Sequence, residues 1–191
     1  MGKTDEELIM EYQSGNIAAL EEIFQRYKKA VFNFSLRILG NRADAEDVVG
    51  EVFLALSSHR YARREKTKFS TWLFTVAHNC SISRIRKKSR FQDLWFKNKE
   101  TEEIEEWDIP DNRIPGHREL ADAELAGQIK EAVERLPGEQ KEAIVLREYH
   151  DMNYEEISQV LQCSLEKVKV LIFRARENLR KELRGILKEV R

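Results

Sequence analysis

The chain has 191 residues, a formal net charge of −1 and a charged fraction of 35 %. No apolar run approaches the roughly 20 residues that a membrane-spanning helix needs, and the N-terminus lacks a signal-peptide pattern, so a soluble, cytoplasmic protein of one large or two small domains is expected. Cys80 and Cys163 stand far apart with no CxxC or Cys/His spacing, which argues against a disulfide or a metal centre and for small apolar residues in a reducing compartment.

The N-terminal part reads as four helices. Thr4 and Glu7 form a capping box for a short first helix ending at Gly15. Leu20, Ile23, Phe24, Tyr27, Val31, Phe34 and Ile38 recur at helical spacing in a long second helix closed by Gly40. A third runs from about Asp44, read as its N-cap, to Leu56, with Ala45, Val48, Val49, Val52 and Leu56 inward. A fourth begins near Ser70 and continues to about Arg90, with Leu73, Val76, Ala77 and Cys80 inward. Four such helices carry enough apolar surface for an independent core.

Two features of these helices carry chemistry. Asp44, Glu46, Asp47 and Glu51 crowd the third helix. Carboxylates in a first turn commonly serve the helix dipole, and an oxygen-only metal site needs more ligands than one helix face supplies. A docking surface for a basic partner fits better than a metal or a catalytic centre. From Lys66 through Gln92 there is no acidic residue, while Lys66, Lys68, Arg84, Arg86, Lys87, Lys88 and Arg90 are cationic, interleaved with Phe69, Trp72, Phe74 and His78. Cations that follow a phosphate backbone beside rings on which bases stack are what single-stranded nucleic acid requires. The plainer alternative is that the rings belong to the core and the cations cover a helix end; one helix face has to be buried in either case.

Charge is unevenly spread. Residues 1–98 hold 17 Lys/Arg against 12 Asp/Glu, residues 99–127 hold 3 against 10, and residues 128–191 hold 13 against 12. The acidic stretch, with Pro110 and Pro115-Gly116 inside it, reads as a linker. The expected organisation is all-α: an N-terminal domain over 1–94, an acidic linker over 95–117, and a C-terminal domain over 118–191.

The last third supplies the most specific pattern. Asn153 with Glu156 caps a short helix containing Ile157, Val160 and Leu161; a tight turn at Gln162-Cys163-Ser164 follows. Ser164 then caps a long helix whose inward stripe is Val168, Ile172, Ala175, Leu179 and Leu183. Its other face holds Glu166, Lys167, Lys169, Val170, Arg174 and Arg176. Two helices joined by so short a turn, the second rich in cations, have the form of a helix-turn-helix that sets its second helix in the major groove; an ordinary helical hairpin with a solvated face is the alternative.

Together, DAEDVVGEVF (44–53), FSTWLFTVAHN (69–79) and the 136–183 helix-turn-helix resemble bacterial RNA polymerase sigma factors of the extracytoplasmic-function (ECF) group. The resemblance spans nearly the whole chain in the family's order. It implies two helical domains without catalytic activity or cofactor, directing core RNA polymerase to promoter DNA under the control of an anti-sigma factor, which in some settings sits at the inner membrane. Glu46, Asp47, Gly50 and Glu51 would meet the polymerase clamp helices. Tyr61, Lys66, Lys68, Phe69, Trp72, His78, Asn79, Arg84, Arg86, Lys87 and Lys88 would engage the melted −10 element. Ser164, Glu166, Lys167, Lys169, Val170, Arg174 and Arg176 would read the −35 element as duplex. The chain departs from the family's pattern at Gly50, where Gln is usual, at Ser83, where Asp is frequent, and at Lys167, Val170 and Leu171, where Thr, Ser and Arg are common. Val170 is suited to touch a thymine methyl. A conventional helix-turn-helix regulator acting without polymerase would explain the last third but not the 66–92 surface.

Overall fold

The computed structural model describes residues 2–58, 67–92 and 117–184, with side chains given through Lys88 on the fourth helix and from Leu125, without Ala126, on the fifth. Among the described residues there are eight helices and no strand. They are α1 (Asp5–Gln13), α2 (Ile17–Leu39), α3 (Arg42–Ser57), α4 (Phe69–Gln92), α5 (His117–Glu134), α6 (Gly138–Tyr149), α7 (Tyr154–Leu161) and α8 (Leu165–Glu182). The chain divides into two compact units, residues 1–107 and 108–191.

In the first unit α2 is the central element, packed against α1, α3 and α4. Thr4 and Glu7 form the expected capping box on α1, and the backbone of Gly40 ends α2 at φ 63°, a left-handed conformation that glycine adopts without Cβ strain. The start of α3 differs from expectation. Asn41 is the N-cap, its side chain accepting from the Asp44 backbone N–H. Both residues are good caps and stand three apart, so the helix gains an extra turn by starting at the earlier one. Asp44 then lies in the first turn, where a carboxylate still complements the dipole.

The core between these helices is aromatic. Phe34 meets Phe74 edge-to-face at 5.3 Å, Phe24 meets Phe53 at 4.8 Å, and Tyr27 meets Phe69 at 5.6 Å. Such pairs add about 0.5–1.5 kcal/mol beyond the burial itself. Asp5 ties α1 to this core through Arg26 (2.5 Å) and the Tyr27 hydroxyl. Burial, then the hydrogen bond to Asp5, pushes the Tyr27 hydroxyl's pKa far upward, which keeps it protonated and donating.

In the second unit α8 packs against α6, α7 and α5. The Asn153–Glu156 capping box is present on α7, and Ser164 accepts from the Lys167 backbone N–H at the start of α8. The turn between them is made by Gln162 at φ 51°. The inward stripe of α8 is Val168, Leu171, Ile172 and Ala175, with Leu179 and Leu183 half-buried. Leu171, where the family often carries Arg, is therefore a core residue here.

Candidate nucleic-acid interface

On α8, Glu166, Lys167, Lys169, Val170, Arg174 and Arg176 are all exposed, as expected. At 100° per residue, Glu166, Val170 and Phe173 run along the middle of the outward face. Lys169 and Arg176 lie on one flank, Lys167 and Arg174 on the other. Apolar groups along the centre suit base edges, and cations on both flanks suit the two phosphate strands of a major groove. Phe173 is 66 % exposed and Val170 46 %. Phe173 was not among the expected site residues, although an aromatic standing on the polar side of a well-capped amphipathic helix was the signal that marked it.

The cations of this face are not equivalent. Lys167 pairs with Glu139 at 2.6 Å, and Arg176 with Glu148 at 2.8 Å. Those hydrogen bonds are the leading reason that both groups have raised pKa values. Arg174 and Lys169 make no ion pair with a described residue. Beside the turn, burial pushes the Cys163 thiol up, so it stays a protonated, half-buried thiol.

On α4 the acid-free run divides. Tyr61 and Lys66 lie outside the described residues. Phe69 is fully buried, packed by Tyr27 and stacked with Trp72 at 6.0 Å. That removes it from the rings open to a base: α4 begins at Phe69 itself, and the ring enters the α2 core. Trp72 and His78 are half-buried, while Lys68 and Asn79 are exposed. Phe74 is core. Arg84 reaches across to α3, pairing with Glu51 at 3.0 Å and Asp47 at 3.4 Å, and Lys88 pairs with Asp44. Arg86 and Lys87, exposed, make no ion pair with a described residue. Burial pulls the Arg84 pKa down, but Glu51 and then Asp47 outweigh it and the net shift is upward.

The acidic surface of α3 is exposed at Glu46, Asp47, Gly50 and Glu51. Glu46 is held by Arg42 at 3.0 Å. Leu54, 68 % exposed, extends the same face one turn on from Gly50 and Glu51. A Cβ placed at Gly50 would meet nothing within 4 Å. Gly50→Ala is therefore expected to raise stability by about 1 kcal/mol, read as a higher denaturant midpoint; a drop in the midpoint would mean that the α3 backbone is strained there. Among the described residues no group of three His, Cys, Asp or Glu is placed to hold a metal ion, and none of their helices is long and apolar enough to cross a membrane.

The two units thus define a helical protein with a helix-turn-helix in its second unit and a cation-bearing helix in its first. The Sigma-70 region 2 family model matches residues 23–91, and the Sigma-70, region 4 model matches residues 126–179. The chain is 31 % identical over 180 residues to the ECF RNA polymerase sigma factor SigW of Bacillus subtilis, covering 93 % of this chain and 96 % of that one. It is 28 % identical over 187 residues to the RNA polymerase sigma-H factor of Pseudomonas aeruginosa, covering 97 % and 96 %. Its fold is shared with the sigma factor RpoE in the complex with the anti-sigma factor NepR from Bartonella quintana, at TM-score 0.62 and 21 % identity over 86 % of this chain and 98 % of that one. The chain belongs to the ECF sigma factors. Its function is that of the family: it binds core RNA polymerase and directs transcription initiation at promoter DNA.

Proposed function

We propose that the two units divide promoter recognition, residues 1–94 taking core polymerase and the melted −10 element and residues 118–191 taking the −35 element as duplex, with the acidic 95–117 segment as the connection. The observation that carries this is the pair of separate exposed cationic faces, one on α4 and one on α8, of which only the second follows a helix-turn-helix. The α8 face enters the major groove: Glu166, Val170 and Phe173 meet base edges, and Lys167, Lys169, Arg174 and Arg176 meet phosphates and base acceptors. Ser164 holds the helix start that brings the first turn to the groove. On α4, Arg86 and Lys87 hold the single strand, with Lys68, Trp72, His78 and Asn79 nearer the helix start. Glu46, Asp47, Gly50, Glu51 and the apolar Leu54 meet the basic clamp helices of the polymerase.

The protein itself performs no catalysis and needs no cofactor in this reading. It acts in the cytoplasm, and an anti-sigma factor that covers α3, α4 or α8 regulates it. A sigma factor of this fold, RpoE of Bartonella quintana, is found in complex with the anti-sigma factor NepR, which supports that part of the reading.

The reading is tested by separating the two DNA steps. Arg86→Ala/Lys87→Ala is expected to leave holoenzyme binding to a closed promoter nearly intact and to lower strand opening, followed by permanganate reactivity of unpaired thymines, by about ten-fold. Opening at the wild-type level would remove the −10 role from this face of α4.

A further inference from the structure

Of the carboxylates on α8, Glu177 is engaged by Arg180 and Glu182 by Arg135. Glu166 is exposed and makes no ion pair with a described residue, although lysines stand one and three positions further on. Lys167 turns instead to Glu139 on α6, at 2.6 Å. Helical phase sets Glu166 within about 40° of Val170 and Phe173, at the centre of the outward face, with Lys169 and Arg174 to either side. It is also the second residue of α8, next to the Ser164 cap, and the first residues of such a helix are those that contact base edges.

A carboxylate in a first turn complements the helix dipole, which accounts for its being tolerated in the free chain. It does not account for a place in a groove between two phosphate strands, where a negative charge is repelled unless a donor meets it. The major groove offers a donor on cytosine, through N4, and on adenine, through N6; guanine and thymine present acceptors. On adenine the amino group stands beside the N7 acceptor, which faces a carboxylate unfavourably. Cytosine has a C–H at that place instead.

We propose that Glu166 is a specificity-determining residue of the −35 contact, its carboxylate accepting from N4 of one cytosine and rejecting the other three bases at that position. The proposal rests on the reading that α8 enters the major groove. The charge acts in both directions. Every duplex without the cytosine is bound more weakly than it would be by an α8 with no charge there. Selection therefore comes from repulsion of wrong sites as much as from the hydrogen bond to the right one.

Holoenzyme binding to a set of promoter duplexes tests this. The −35 element recovered by mapping transcript starts is replaced, one base pair at a time, by the other three pairs. The wild type is expected to prefer cytosine at one position by about ten-fold. Glu166→Ala is expected to flatten the preference at that position alone and to bind the duplexes lacking the cytosine about two- to five-fold more tightly. Glu166→Gln, whose amide both accepts and donates, is expected to move the preference there to adenine. Equal weakening of every duplex by Glu166→Ala would mean that the residue serves only the helix start, and would overturn the assignment. Wild-type base preferences at every position in both variants would overturn it as well. Arg174→Ala separates this proposal from the reading beneath it. If that variant weakens −35 binding while the Glu166 variants change no preference, only the Glu166 assignment fails; if it too leaves −35 binding unchanged, the reading of α8 itself falls.

Discussion

Arg174→Ala is expected to lower binding of the holoenzyme to −35-containing promoters by about ten- to a hundred-fold, equivalent to about 1–3 kcal/mol for a bidentate base contact, while binding to core polymerase is unchanged. The size follows from the state of the side chain before binding. Arg174 is exposed on one flank of α8 and makes no ion pair with a described residue, so its full interaction with DNA contributes to affinity. Arg176 has to exchange Glu148 for DNA, and Arg176→Ala is expected to cost clearly less. Equal losses would mean that the Arg176–Glu148 pair does not compete with DNA. Loss of core binding in Arg174→Ala would mean that the two binding functions are assigned to the wrong units.

The largest effect on stability is expected at Phe69. Its ring is fully buried, edge-on to Tyr27 and stacked with Trp72, and Phe69→Ala is expected to cost about 3–5 kcal/mol. Against the 5–15 kcal/mol typical of a folded domain, that removes a large share of the first unit's stability. Phe69→Leu, which retains most of the apolar volume, is expected to fold and to open promoters at close to the wild-type level. A Phe69→Leu protein that keeps its thermal midpoint but cannot open promoters would show that the ring meets a base after all, and that the buried position is left on binding.

Those two residues also show what could be read from the sequence and what could not. The α8 face was legible because an amphipathic helix announces both sides at once: the spacing of Val168, Ile172 and Ala175 fixes the inward direction, and Arg174 then has to point away. The capping residues Thr4, Asn153 and Ser164 were legible for the same local reason, since a cap and its partner lie within four residues. Phe69 sits on the boundary of α4, where periodicity has not yet begun, and its burial is decided by Tyr27, 42 residues earlier. Asn41 and Asp44 were equally good caps by type, and the helix starts at the earlier one, where the Asn41 side chain accepts from the Asp44 backbone N–H. The α5 helix escaped notice because it follows an acidic, Pro-containing stretch and its sequence lacks a clean apolar stripe. The pairing of Arg84 with Asp47 and Glu51 has no local signature. Both charge clusters were visible, but that they neutralise each other depends on how α3 lies against α4.

The same pairing changes how the charge pattern should be read. A run of cations without acids looked uniformly directed at an anionic partner. In the folded chain it separates into Arg84 and Lys88, committed to α3, and Arg86 and Lys87, which face outward. Exposed ion pairs contribute only about 0–1 kcal/mol each to stability, so the committed pair remains exchangeable.

The central claim is that this chain carries promoter specificity to RNA polymerase, and promoter-dependent transcription tests it most directly. Purified bacterial core polymerase would be supplied with a pool of upstream fragments from the chain's own genome, with and without the protein, and the transcript starts mapped. Discrete starts that appear only with the protein, sharing one −10 and one −35 sequence, are the predicted result. No new starts and no complex with cognate core polymerase, together with sequence-specific duplex binding by the protein alone, would contradict it.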